Sequence, residues 1–193
     1  NAAADLRGSF VVLTNGEHEG RRGVNRLVEA ALGDQVKPEQ AGLYLPGLAA
    51  GGVQFQDRFG HLSHPGVSDA EMAFLAAAPL RMEQLLLERL PSELLGVSSE
   101  QLKVLAQQAV LDTQVSPTIN LNGVFALVPG DVSRQRRLQQ MLADLMDQLL
   151  QEASAAGLEG SFFLHVAPNL GRDADGRERA KPAAAGDVGT TDI

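Results

Sequence analysis

Ser9-Phe10-Val11-Val12-Leu13-Thr14 runs into Asn15-Gly16-Glu17-His18-Glu19-Gly20-Arg21-Arg22-Gly23 and then into Val24-Asn25-Arg26-Leu27-Val28-Glu29-Ala30-Ala31-Leu32-Gly33, and the fold class turns on this stretch. Phe10 to Leu13 is a short, continuous apolar run rich in β-formers, the pattern of a buried strand. Asn15-Gly16 is a turn signal, and Gly16, Gly20 and Gly23 interrupt regular structure after it. Val24, Leu27, Val28, Ala31 and Leu32 then recur at i, i+3, i+4 spacing, and Gly33 is a natural helix stop. Strand, loop and helix in this order begin an α/β domain.

Working outward, Leu43-Tyr44-Leu45 reads as a second strand ended by Pro46-Gly47, and Val53 to Gln56 as a third after Gly51-Gly52. Ser68 with Glu71 forms a capping box that opens a helix carrying Met72, Leu75, Met82, Leu85, Leu86 and Leu90. Pro79 lacks an N–H, so a kink or break is expected there. Pro91 to Gly96 is a connector. Ser98 with Gln101 is a second capping box, followed by the stripe Leu102, Leu105, Ala106, Ala109 and Val110. Thr118 to Val128 reads as strand, with Asn122-Gly123 as a bulge or hairpin turn. From about Asp131 to Ala153 the spacing predicts a long helix with Leu138, Met141, Leu142, Leu145, Met146, Leu149 and Leu150 on one face. Arg134, Arg136 and Arg137 crowd its start, where positive charge is unfavourable without an acidic neighbour. Ser161 to Ala167 is the last strand, with Phe162, Leu164 and Val166 on one face.

The expectation is an α/β (or α+β) fold with a mixed sheet of about five strands and amphipathic helices packed on it, in the order β-α-β-β-α-α-β-α-β. Residues 1–167 make a single globular domain. Residues 168–193, where large apolar side chains nearly vanish, make an irregular or flexible tail.

A length of 193 residues and 44% hydrophobic content are enough for a real core, so the chain reads as a soluble bacterial-type protein. With a net charge of −8 and a pI near 4.9, it lacks the clustered positive charge that a phosphate backbone requires, which argues against nucleic acid. The absence of cysteine removes disulfides, thiol nucleophiles and cysteine-held zinc. No apolar run approaches the ~20 residues that a membrane span needs, and no signal peptide is visible. The compartment stays open between cytoplasmic and exported. The chain opens Asn1-Ala2-Ala3 rather than with Met, as a processed terminus or the boundary of a longer sequence would.

Three constellations can carry chemistry. In the first loop, Gly16, Gly20, Arg21, Arg22 and Gly23 stand before a helix, where free backbone N–H groups and arginines suit a small anion or phosphate ligand. The spacing matches neither a Walker A loop nor a dinucleotide fingerprint, and Glu17 and Glu19 oppose an anion. In the second, His61 and His64 sit three apart in a loop. With His18 they are candidate metal ligands, with Asp57, Asp69 or Glu71 available to complete a shell. In the third, Glu17, His61, His64 and His165 are candidate catalytic residues of a hydrolase, possible with or without a metal. There is no G-x-S-x-G elbow to support serine catalysis.

With no complete catalytic set and strong apolar helix faces, the reading that follows is a non-catalytic domain that binds a protein partner or self-associates. A hydrolase using the His/Glu loops is the alternative, and anion binding at the first loop a second one. The cofactor is left unknown.

Overall fold

The computed structural model describes residues 11–20, 23–90, 95–111, 114–166 and 190–192, with backbone only for 165–166 and 190–192. The fold is mixed α/β, as the strand–loop–helix opening implies. The chain forms two compact units, one of residues 1–72 with 114–116, the other of residues 73–113 with 117–193.

The first unit contains β1 (Val12–Leu13), α1 (Val24–Leu32), α2 (Pro38–Ala41), β2 (Gly47–Ala49), a 3-10 turn (Ala50–Gly52), β3 (Gln54–Gln56) and β4 (Leu62–Ser63). Its sheet has the order β1-β2-β3-β4. β1 and β2 are parallel, and the other two pairings are antiparallel. The strand expected at Leu43 to Leu45 instead begins after Pro46, because the Val12 N–H bonds the Pro46 carbonyl and the Thr14 N–H bonds the Leu48 carbonyl. Gly47 is indispensable to that approach: a Cβ there would lie 1.9 Å from the Val12 carbonyl oxygen. The β2–β3 connection turns through positive φ at Ala50 (49°), Gly51 (66°) and Gly52 (99°), which two glycines make accessible.

The second unit contains α3 (Asp69–Arg89), whose first turn the division crosses, then α4 (Ser99–Ala109), β5 (Val110–Leu111), β6 (Thr118–Asn120), α5 (Asn122–Phe125), α6 (Val132–Ala155), β7 (His165–Val166) and β8 (Thr190–Asp192). Its sheet runs β5-β6-β8-β7, all antiparallel. Both capping boxes form. The Glu71 N–H bonds Ser68 Oγ and the Ser68 N–H bonds Glu71 Oε2, and Ser98 and Gln101 reciprocate in the same way.

Three local expectations fail for identifiable reasons. Helix α3 continues through Pro79 without the break that was one of the two expected outcomes there, since Leu75, Ala78, Met82, Leu85 and Leu86 on its buried face outweigh one missing backbone bond. Beyond Asn120 the chain is helical rather than extended: the Asn120 side chain accepts from the Asn122 N–H, and α5 buries Val124 and Phe125. The last strand is confined to His165–Val166, while Phe162 stacks on Phe74 with ring centroids 5.1 Å apart. Of the expected tail, residues 168–189 and 193 lie outside the described residues, and Thr190–Asp192 form β8.

The core of the second unit is the predicted stripe. Leu138, Leu142, Leu145, Met146 and Leu149 of α6 pack with Met82, Leu85 and Leu86 of α3 and with Ile119, Leu121 and Phe125. Each such side chain contributes roughly 1.5–3 kcal/mol on burial. Arg81 of α3 grips Glu152 of α6 through Nη2 (2.7 Å) and Nε (3.0 Å), and Arg89 bonds Gln148. Asp131 caps α6 and pairs with Arg134 at 3.3 Å, which relieves the positive charge at that helix start.

Candidate functional site

In α/β folds, ligands favour the loops at the carboxyl ends of parallel strands. Here those loops follow β1 and β2, and the Ala50 N–H ties them together by bonding the Gly16 carbonyl at 2.9 Å. Between Thr14 and Gly23 the chain folds back on the start of α1. Gly23 donates to the Gly20 carbonyl, Val24 to that of Glu17 and Asn25 to that of His18. This return needs a bare Cα at Gly23, where a Cβ would stand 2.2 Å from the Glu19 carbonyl oxygen. The first N–H groups of α1, where an anion was expected, are engaged by the loop's own carbonyls. Gly16 and Gly20 serve the same loop, while Arg21 and Arg22 lie outside the described residues.

The loop delivers Glu17 and His18 to the interior. Glu17 is 4% exposed, and its Oε1 accepts three consecutive backbone N–H groups, from Gln114 (3.0 Å), Val115 (2.8 Å) and Ser116 (3.0 Å). Successive N–H groups converging on one oxygen form an anion nest, and here the carboxylate of the same unit fills it. His18 is fully buried, with Nε2 3.1 Å from the Gly47 carbonyl oxygen. A carbonyl only accepts, so Nε2 carries the proton and Nδ1 presents a bare lone pair to the interior. Burial lowers the His18 pKa below the ordinary histidine value, against smaller upward pulls from the Gly47 bond and the Glu19 charge. Burial thus favours the neutral ring.

Around His18 lies a buried polar layer. Gln54 Oε1 accepts the His18 backbone N–H at 3.0 Å. Asn25 and Gln56 join side chain to side chain through two bonds, of 2.7 and 2.9 Å. Gln54 and Gln56 are both fully buried. Sequence reasoning missed Asn25, Gln54 and Gln56 because Gln54-Phe55-Gln56 alternates as a strand with its polar side in water would. His18 Nδ1 and Gln54 Nε2 have no hydrogen-bond partner among the described residues.

The other histidines stand apart from this layer in their bonding. His61, with a side chain 79% exposed, bonds Asp57 at 2.9 Å through Nδ1. Burial pushes the Asp57 carboxyl up, but the His61 side-chain bond, the backbone N–H groups of His61 and Phe59 and the His61 charge together hold it below the usual range. The loop is an Asx-type turn closed by the Asp57–His61 side-chain hydrogen bond. His18, His61 and His64 were expected as metal ligands. Among the described residues no three of His, Asp and Glu gather as a ligand set. The Nε2 of His18 is engaged by a carbonyl, and His61 by Asp57. His64 Nε2 is buried without a partner among those residues. The backbone of His165 lies in β7, and its side chain is not among those described. The structure thus brings Glu17 and His18 into one loop and gives His61 and His64 no bond to them. In the second unit, a cleft of about 260 Å³ lined by Leu150, Ala153, Ser154, Leu158, Glu159 and Phe162 carries one carboxylate and no basic side chain.

Among the described residues no helix is long and apolar enough to cross a membrane. The sequence matches, over residues 1–193, the family model described as glucosylglycerol-phosphate phosphatase. It is 51% identical over 184 residues to a curated protein of Synechocystis sp. named glucosylglycerol-phosphate phosphatase, covering 95% of this chain and 44% of the relative. The chain thus spans less than half the length of that relative. No solved structure matches. These findings overturn the expectation of a non-catalytic protein-binding domain of uncharacterised function, because phosphatases are hydrolases, and the hydrolase alternative is the one they favour. The apolar stripes of α3, α4 and α6 are core instead. By a family match along its whole length, this chain belongs to the glucosylglycerol-phosphate phosphatase family.

Proposed function

We propose that this chain takes part in hydrolysing the phosphate monoester of a small polyhydroxylated compound of the glucosylglycerol-phosphate kind. The observation that carries the reading is the family match over residues 1–193, joined by 51% identity to the Synechocystis phosphatase. The reaction takes water and a phosphate monoester to an alcohol and inorganic phosphate.

The loop of Glu17 and His18 supplies the chemistry on the side of this chain. A neutral imidazole with a free Nδ1 lone pair is competent to accept a proton from water or from a substrate hydroxyl. The Gln54 amide, oriented by its bond to the His18 N–H, offers a donor beside it. Glu17 acts through the backbone: its three bonds hold residues 114–116 against the loop, which makes it a positioning residue.

The test is phosphate release from glucosylglycerol phosphate, with glucose 6-phosphate and glycerol phosphate for comparison. It is measured on the Synechocystis phosphatase carrying this chain in place of its matched segment. Preferential release from the glucosylglycerol ester is expected, with His18→Ala lowering kcat at least about tenfold, in the range of a lost general acid or base. A folded hybrid that releases no phosphate, or that is indifferent to His18→Ala, would count against the reading.

A further inference from the structure

In the sheet of the first unit, Gln54 and Gln56 face inward while Leu13, Leu48 and Phe55 face outward. The register sets Leu13 beside Leu48, Leu48 opposite Phe55, and Phe55 opposite Ser63, so these four share one face of the sheet. Leu13 is 76% exposed, Leu48 40% and Phe55 38%, and Val11, two residues before Leu13 on the same side, is 73% exposed. No charged residue stands in this row. β1 is also the edge of its sheet, bonded on the β2 side alone among the described residues. Its continuous apolar run is that of a strand covered on both faces. Proteins cover, charge or shorten such edges because a bare apolar one recruits other chains.

We propose that the Val11–Leu13–Leu48–Phe55 face and the free edge of β1 seat an apolar strand-and-helix segment, supplied by the part of the family polypeptide that the Synechocystis relative carries beyond the matched region. More than half of that relative's length lies there, since the match covers 44% of it. A second copy of this chain is the poorer occupant. Two bodies of charge −8 repel, and a row of four side chains is small beside the ~800 Å² per partner of a standard interface. The proposal rests on family membership, not on the reaction assigned above.

The experiment compares the 193-residue chain with the Synechocystis hybrid described above, reading thermal midpoints and amide exchange rather than phosphate release. In the hybrid, Leu13→Glu and Phe55→Glu each place a charge in a covered apolar seam, and each is expected to lower Tm by roughly 5 °C or more. Amide exchange in β1 is expected to be at least about tenfold slower in the hybrid than in the chain by itself, as for a strand that gains a hydrogen-bonded neighbour. In the chain by itself the same substitutions leave Tm within about 1 °C, as at exposed sites generally. Leu27→Glu, at a site 72% exposed on α1, is the control expected to be silent in both. Equal effects in both contexts, unchanged β1 exchange or a hybrid that does not fold overturns the proposal. So does a dimer of the chain by itself, seen by light scattering, that Leu13→Glu splits, because that result puts a second copy on the face.

Discussion

In the second unit the fully buried side chains include Met82, Leu85, Leu86, Leu145, Met146 and Leu149, while in the first they include His18, Gln54 and Gln56. The apolar core is held by contacts that carry no direction, so it tolerates exchange of shape and volume. The polar layer is held by directed bonds, in which loss of one partner leaves another buried and unpaired. Such a layer adds little net stability for its size but fixes atoms in place, as a site that must orient a reacting group requires. The contrast sets a directed polar layer in the first unit, where the proposed chemistry is placed, against an apolar core in the second.

Four measurements break or sharpen that contrast. The largest effect is expected from Leu145→Ala, which removes a fully buried side chain of α6 and should cost about 3 kcal/mol or more in urea unfolding. Glu17→Ala follows, at about 2 kcal/mol. It strips an acceptor from three N–H groups that solvent can partly reclaim, and hydrogen exchange at Gln114, Val115 and Ser116 should accelerate sharply. Next comes a cycle at Asn25 and Gln56. Each single change to Leu should cost roughly 1–2 kcal/mol by orphaning its partner, and the double change clearly less than the sum. Strict additivity would mean the pair is not a bonded unit.

The smallest effect is in the pH dependence. The folded pKa of His18 lies below its unfolded value, so the folded state prefers the neutral ring. The unfolded chain binds more protons between the two values, and stability therefore rises with pH across that window. The contribution of His18 should be complete above the ordinary histidine pKa near 6.5 and lost as pH falls from there through the depressed folded value. Tm measured from pH 7.5 down to 5 should drop more steeply for the wild type than for His18→Gln.

Helices were the most legible part of this sequence. The stripes of α3, α4 and α6 recur within a few turns, and the boxes Ser68/Glu71 and Ser98/Gln101 close within four residues, so neighbouring residues suffice to read them. Strands were less legible. β1 and β3 announce themselves, but β2 is displaced from Leu43–Leu45 to Gly47–Ala49 by a pairing with Val12 that lies far away in sequence. At the site, Glu17 and His18 were picked out from the loop that carries them. Asn25, Gln54 and Gln56 were not, because their side chains are those that ordinarily face water.

Taken alone, the sequence determined the helices α1, α3, α4 and α6, the two capping boxes, the α/β class and the loop after β1, because each is written in residues close together along the chain. Only the tertiary structure decided which side of the first sheet is inside, since alternation along Gln54-Phe55-Gln56 defines two faces without ranking them. It alone also decided that Glu17 meets Gln114, 97 residues away. Propensity and periodicity act over a few residues, whereas the choice of buried face and the closing of long loops depend on what the rest of the chain packs against them.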